Sequence, residues 1–351
     1  MVNAVYEKLV PALNARGTIL PSIACDEYFA FVSCLFTPEE AEILAAMPMG
    51  FATAEEIAGR LPGSDATSVG KHLEEMCDKG LIHSRKQNGK HAYEVLPFVP
   101  GICELQFLTE ELDERHKKIA FLLDAYNAAL KKMFMAAAPA GAKPSFPGRK
   151  LVVEQDIFDR TTIIPYHEAK ELIMESNYIS AGICNCRRQG VLKDRACNNP
   201  LDNCMIFGKS AEFTVERGFT KKITREEALK KLDQAEEAGL IHQYCNSPER
   251  FTNLLCHCCD CHCLLLRGAK RSPVPSQAVV ARYLLNIDDE ACITCEACIE
   301  RCQMKALKIE GAKLVRDEMR CVGCGVCMYV CPTEALSLDV RLAGRVPLKK
   351  C

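Results

Sequence analysis

Cys292-Ile-Thr-Cys295-Glu-Ala-Cys298-Ile-Glu-Arg-Cys302 and Cys321-Val-Gly-Cys324-Gly-Val-Cys327-Met-Tyr-Val-Cys331-Pro332 are two consecutive Cys-x-x-Cys-x-x-Cys-x-x-x-Cys runs. Each is followed by an apolar stretch, Ala306-Leu-Lys-Ile in the first half and Ala335-Leu-Ser-Leu in the second, so one short unit is repeated: cysteine run, small helix, strand. A zinc ribbon needs four cysteines per metal, usually as separated Cys-x-x-Cys pairs. Eight thiols in two quartets of this spacing fit that pattern poorly and point to polynuclear centres, in which closely spaced thiolates each take a different metal atom.

Residues 287–340 resemble two-cluster bacterial ferredoxins. The resemblance implies two [4Fe–4S] clusters and a (βαβ)2 ferredoxin-like domain. It also implies crossed ligation: Cys292, Cys295, Cys298 and Cys331 hold one cluster, and Cys321, Cys324, Cys327 and Cys302 hold the other. One departure is visible, since Gln303 stands where that family usually has proline. Proline there would fix the backbone leaving the cluster, so its loss is expected to loosen that edge without removing a ligand.

Working outward, 351 residues suffice for two or three domains. The reading is an α+β multidomain chain: a winged-helix domain over 1–100, a connecting helix and linker over 101–145, a Cys-rich α/β domain over 146–285, the ferredoxin domain over 286–340 and a tail over 341–351. A formal charge of −2 offers no global basic field for nucleic acid or membrane. No apolar run approaches the roughly 20 residues that span a bilayer. Met1-Val-Asn-Ala-Val-Tyr-Glu-Lys lacks the features of a signal peptide. Twenty-three cysteines without such a signal argue for metal ligation in a reducing cytosol rather than disulfides.

The N-terminal third carries three helix starts: Thr37-Pro-Glu-Glu, the capping box Thr53-Ala-Glu-Glu, and Ser64-Asp65. A hairpin follows, with Leu81-Ile82 entering, Gln87-Asn88-Gly89-Lys90 turning and Ala92-Tyr-Glu-Val returning. This layout resembles the winged helix-turn-helix family over residues 37–96. Winged helices often bind DNA, yet segment 37–100 holds six Lys/Arg against ten Asp/Glu, a formal charge of −4. DNA affinity rests largely on phosphate neutralisation, so a structural or protein-docking role is favoured over DNA binding. Residues 101–138 read as one long amphipathic helix, followed by a Pro/Gly linker, a strand at Lys150-Leu-Val-Val-Glu, a helix from Tyr166 to Glu175 and a strand at Tyr178-Ile-Ser-Ala-Gly-Ile.

That strand delivers Cys184 and Cys186. Cys197 and Cys204 come next, and after a helix from about Thr224 to Gly239 the dense stretch Cys256-His-Cys258-Cys259-Asp-Cys261-His-Cys263. Nine cysteines in three patches are expected to converge on metal. One or two further iron–sulfur clusters are the favoured content, with zinc the alternative because His257 and His262 interleave with the thiols. Arg187 and Arg188 either offset the charge of a thiolate-bound cluster or form a solvated pair. Cys25, Cys34, Cys77 and Cys103 read as small buried hydrophobes, and Cys351 as exposed and uninvolved.

Taken together, these motifs are similar to a family of anaerobe iron–sulfur proteins with an N-terminal winged module, over about residues 30–340. In that family the dense stretch reads Cys-Asn-Cys-Cys-x-Cys-Cys-Cys. Here His257 stands at the Asn position and His262 at a Cys position, either as a substitute ligand or as a lost one. The resemblance implies electron transfer with redox partner proteins. No Gly-x-Gly-x-x-Gly fingerprint or Walker loop is present, so the chain reads as an electron-transfer protein or oxidoreductase subunit rather than a stand-alone enzyme. The alternatives are a redox-sensing winged-helix regulator and a cluster-bearing subunit that activates a substrate or corrinoid partner.

Overall fold

The computed structural model describes residues 2–18, 20–87, 89–137, 162–247 and 252–340. The expected strand at 150–154, most of the preceding linker and Cys351 lie outside these residues.

Helices α1 (Val2–Glu7) and α2 (Leu9–Asn14) lie against α4 (Pro38–Ala46), with α3 (Asp26–Leu35) beside them. Cys25 is not a buried hydrophobe: it is the N-cap of α3, its Sγ accepting from the Tyr28 N–H at 3.4 Å. Strand β1 (Ala52–Thr53) leads into α5 (Ala54–Ala58). Full capping boxes, Thr37 with Glu40 and Thr53 with Glu56, start α4 and α5, and Asp65 caps α6 (Ala66–Asp78). Strands β2 (Ile82–Gln87) and β3 (Lys90–Val95) form the hairpin, and β1 completes a three-stranded antiparallel sheet in the order β1-β3-β2.

The single helix expected over 101–138 is two pieces. A short α7 (Cys103–Leu105) is separated by turns from α8 (Glu114–Ala137). Phe107 and Leu108 turn into the core between them, and Asp113 restarts the helix by accepting from the His116 N–H at 3.1 Å. Burying those two side chains outweighs helical continuity.

The middle region alternates β4 (Thr162–Ile163), α9 (Tyr166–Glu175), β5 (Ile179–Gly182), α10 (Asn185–Leu192), β6 (Cys204–Phe207), α11 (Gly208–Glu216), β7 (Lys221–Ile223), α12 (Arg225–Glu237), β8 (Ile241–Ser247), β9 (Thr252–Cys258), α13 (Leu264–Arg271), α14 (Pro275–Ala278) and β10 (Val280–Ala281). They form one seven-stranded sheet, β10-β4-β8-β9-β6-β5-β7. Only the β10–β4 pair is parallel. The C-terminal region runs β11 (Tyr283–Ile287), α15 (Ala297–Arg301), β12 (Leu307–Glu310), β13 (Lys313–Arg316), a 3₁₀ turn (Met328–Val330) and β14 (Leu336–Val340). There β11 pairs with β14 and β12 with β13, all antiparallel.

Two apolar cores join these parts. One runs from the N-terminal helices to Ile206, Phe213 and Phe219 of the middle region. The other joins Ile163, Ile241 and Leu266 to Leu285, Leu307 and Leu336. No described helix is long and apolar enough to cross a membrane.

Candidate metal centres

The two C-terminal runs fold into copies of one loop displaced by 29 residues, Cys292 to Cys321 and Cys302 to Cys331. Positive φ recurs at matching places: Thr294 (52°) with Gly323 (62°), Glu296 (65°) with Gly325 (78°), and Lys305 (54°) with Glu334 (53°). These left-handed residues curl each backbone so that its three close cysteines turn inward. The fourth cysteine of each run is carried past by α15 or the 3₁₀ turn. Two cavities result. One is lined by Cys292, Cys295, Cys298 and Cys331, the other by Cys302, Cys321, Cys324 and Cys327. Four thiols per cavity is the donor set that a [4Fe–4S] cube takes, so the residues present fit that group.

Burial pushes the Cys298, Cys324 and Cys327 thiols up, so they are neutral until a metal displaces the proton. Cys331 differs. Against a burial effect that raises it, the N–H groups of Thr333, Ala335 and Leu336 hold it below the ordinary thiol range. Backbone N–H groups aimed at sulfur are one of the means by which a protein sets cluster potential.

Gln303 docks the C-terminal region onto the middle one. Its amide donates to the Gly239 carbonyl and, at 3.4 Å, to that of Cys258. The residue expected to loosen an edge instead fastens it. Arg301 adds a bond to the Glu236 carbonyl. Ile241, in the wall of the Cys302/Cys321/Cys324/Cys327 cavity, is the register partner of Cys258 across β8–β9.

The nine central cysteines separate into two groups. Cys184, Cys186, Cys204, Cys256, Cys258 and Cys263 line a cavity of about 170 Å³. Cys184 and Cys263 are the N-cap residues of α10 and α13, so two helix N-termini face the same thiols. Burial pushes Cys184 up to about 12. Cys263 lies well below its ordinary range because the Cys186 and Cys258 thiols donate to it, helped by the Leu266 N–H and by Gln243 Nε2 at 3.5 Å. Cys103 and Cys245 also line this cavity, as does Glu104, none of which sequence singled out as a ligand. Burial raises the Glu104 carboxyl to about 7 even though it accepts from the Gly101 N–H at 2.7 Å.

The other group is Cys197, Cys259, Cys261 and His262, whose ligand atoms all lie within 4.8 Å of one another. His257 joins neither group through its Nδ1. That atom meets His242 Nδ1 at 2.7 Å, and His242 Nε2 meets Glu236 at 2.8 Å, a buried polar chain. The arginine pair is split. Arg187 is 1% exposed and lies among the thiols, bonded to the His257 carbonyl at 2.9 Å and to Asn203, with Cys259 Sγ at 4.0 Å. Arg188 instead reaches the Glu110 carbonyl. The reading of a solvated pair fails for Arg187.

Residues 285–338 match the 4Fe-4S dicluster domain family. The C-terminal region is thus an iron–sulfur domain of ferredoxin type, and an electron-transfer role in general follows from it. No curated protein and no solved structure matches the chain.

Proposed function

We propose that this chain relays low-potential electrons, one at a time, between a soluble donor and a partner oxidoreductase in the anaerobic metabolism of a reducing cytosol. In this reading Cys292, Cys295, Cys298 and Cys331 hold one [4Fe–4S] cluster. Cys321, Cys324, Cys327 and Cys302 hold the second, and four of the thiols Cys184, Cys186, Cys204, Cys256, Cys258 and Cys263 in the central cavity wall hold a third. The observation that carries the relay is the wall between cavities: Ile241 lines the second terminal cavity, and its strand partner Cys258 lines the central one. Redox centres in these cavities would exchange electrons across the buried apolar cluster that Cys258 and Cys263 share with Cys321 and Cys327.

Residues 37–96 are read as a winged helix-turn-helix that serves as a docking element. Three of its basic side chains support this, being engaged within the fold: Lys90 with Glu55 at 3.0 Å, His91 with Glu74 at 3.1 Å, and Arg85 over the Phe51 ring at 3.7 Å. Arg217, at the end of α11, grips Glu74 and Asp78 of α6 at 2.7 Å each. A shift of promoter DNA at low salt by the cluster-loaded protein would favour the regulator instead.

The test is anaerobic purification with iron and sulfide counting, followed by EPR of the reduced protein. About 12 iron and 12 sulfide per chain are expected, and about 8 of each would remove the central cluster. Colourless protein without labile sulfide would overturn the function. A second reading, substrate or corrinoid activation, is favoured by the apolar end of the central cavity, where Leu20, Val99, Pro100 and Leu123 exceed what a cube needs. A change in the central EPR signal on adding a corrinoid protein would select it.

A further inference from the structure

We propose that Cys197, Cys259, Cys261 and His262 form a mononuclear zinc site, distinct from the thiols that face the central cavity. The first argument is size. Zinc bound tetrahedrally at about 2.3 Å from sulfur sets neighbouring donors roughly 3.8 Å apart. The four donor atoms here all lie within 4.8 Å of one another, which encloses a single ion. A cube is larger: each thiolate binds a different iron, so its four thiolate sulfurs stand apart by the iron–iron diagonal of a face, widened by two outward iron–thiolate bonds.

The second argument is the histidine. His262 Nε2 lies 2.5 Å from the Arg195 carbonyl oxygen, which can only accept, so Nε2 carries the proton. Nδ1 therefore presents its lone pair, and it faces the thiols, 3.1 Å from Cys261 Sγ and 3.9 Å from Cys259 Sγ. A ligating imidazole whose other nitrogen donates to a backbone carbonyl is the usual outer support of a zinc site.

The third argument is the space the ring occupies. A Cβ at Gly190 would fall 2.4 Å from His262 Cδ2 and Nε2 and 2.9 Å from the Arg195 oxygen. The missing side chain at 190 is the room for the imidazole. Outer donors are also present: Asn199 Nδ2 is 3.5 Å from Cys197 Sγ, and Arg187 Nη1 is 4.0 Å from Cys259 Sγ. Three thiolates and a neutral histidine leave divalent zinc with a net charge of −1, which the guanidinium offsets.

Four protein donors complete the tetrahedron, so the role is structural. The ion ties the loop between α10 and β6, which carries Cys197, to the turn between β9 and α13, which carries the other three ligands. It thereby holds the two segments that deliver Cys184, Cys204, Cys258 and Cys263 to the cavity. The zinc site does not depend on a central cluster, since the two groups share no ligand.

The test is metal counting on anaerobically purified protein, with zinc-edge X-ray absorption. One zinc per chain is expected, with three sulfurs at about 2.3 Å and one nitrogen at about 2.0 Å. His262→Ala and Cys261→Ala should lose zinc while the two terminal clusters keep their labile sulfide and EPR signals. His262→Cys should keep zinc with four sulfurs, which guards against simple misfolding of the alanine variants. Cys263→Ala should leave zinc in place. The site is overturned if the wild-type protein holds no zinc, if these four residues instead govern four irons, or if bound zinc is indifferent to His262 and Cys261. Loss of the terminal iron signals alone would bear on the relay and leave the zinc result standing.

Discussion

Gly323 lies where β11 comes closest to the second cysteine run. A Cβ there would stand 2.0 Å from the Tyr283 carbonyl oxygen, and the residue's φ is 62°. The left-handed backbone disfavours a side chain, yet Thr294, its counterpart in the first run, carries one at φ 52°, so at Gly323 it is the carbonyl contact that excludes it. Gly323→Ala is therefore expected to disrupt the Cys302/Cys321/Cys324/Cys327 cavity selectively. Anaerobic protein should lose about 4 irons per chain and one of its two terminal EPR signals. Unchanged iron content would refute the argument. Single residues were legible in the sequence where their chemistry is local. The two terminal runs could be read from spacing, because eleven consecutive residues hold each one; their crossed division between two cavities came with the resemblance to two-cluster ferredoxins. The division of the nine central cysteines could not, since it depends on where the loop holding Cys197 meets the turn holding Cys259. Gln303 was misjudged for the same reason: its partners, Gly239 and Cys258, are distant in sequence.

Elements were legible where their ends are capped. The helices opened by Thr37, Thr53 and Asp65 match expectation because side-chain capping is decided within four residues. The helix expected over 101–138 failed because apolar periodicity does not report that Phe107 and Leu108 have a core to enter. Strand β2 carries a pH consequence that only its packing reveals. His83 sits edge-on to Phe213 of α11, with ring centroids 4.8 Å apart. Burial, with Arg85 adding to it, lowers its pKa to about 3. The unfolded chain takes up this proton near 6.5, while the native chain stays neutral to about 3. Below pH 6.5 the unfolded state thus binds more protons, and stability falls as pH falls. At pH 5 the loss is about 2 kcal/mol. Melting temperatures at pH 7.5 and pH 5 should differ less for His83→Phe than for the wild type. An equal drop in both would discount His83.

At the scale of the molecule, the N-terminal helices do not form a detachable lobe. Their apolar core continues into Ile206, Phe213 and Phe219, and Arg217 clamps α6 from the other side of the junction. On the opposite edge, Cys258 and Cys263 share a buried cluster with Cys321 and Cys327. Cysteines that belong to different cavities are thus also neighbours in one hydrophobic interior. The middle sheet is common to both cores, so neither end can let go without uncovering part of it. Heat should therefore melt the chain as a single cooperative unit. Ellipticity at 222 nm and bleaching of the visible cluster colour are expected to trace one curve with one midpoint. Two separate midpoints would mean that the seams between the regions yield before the regions themselves do.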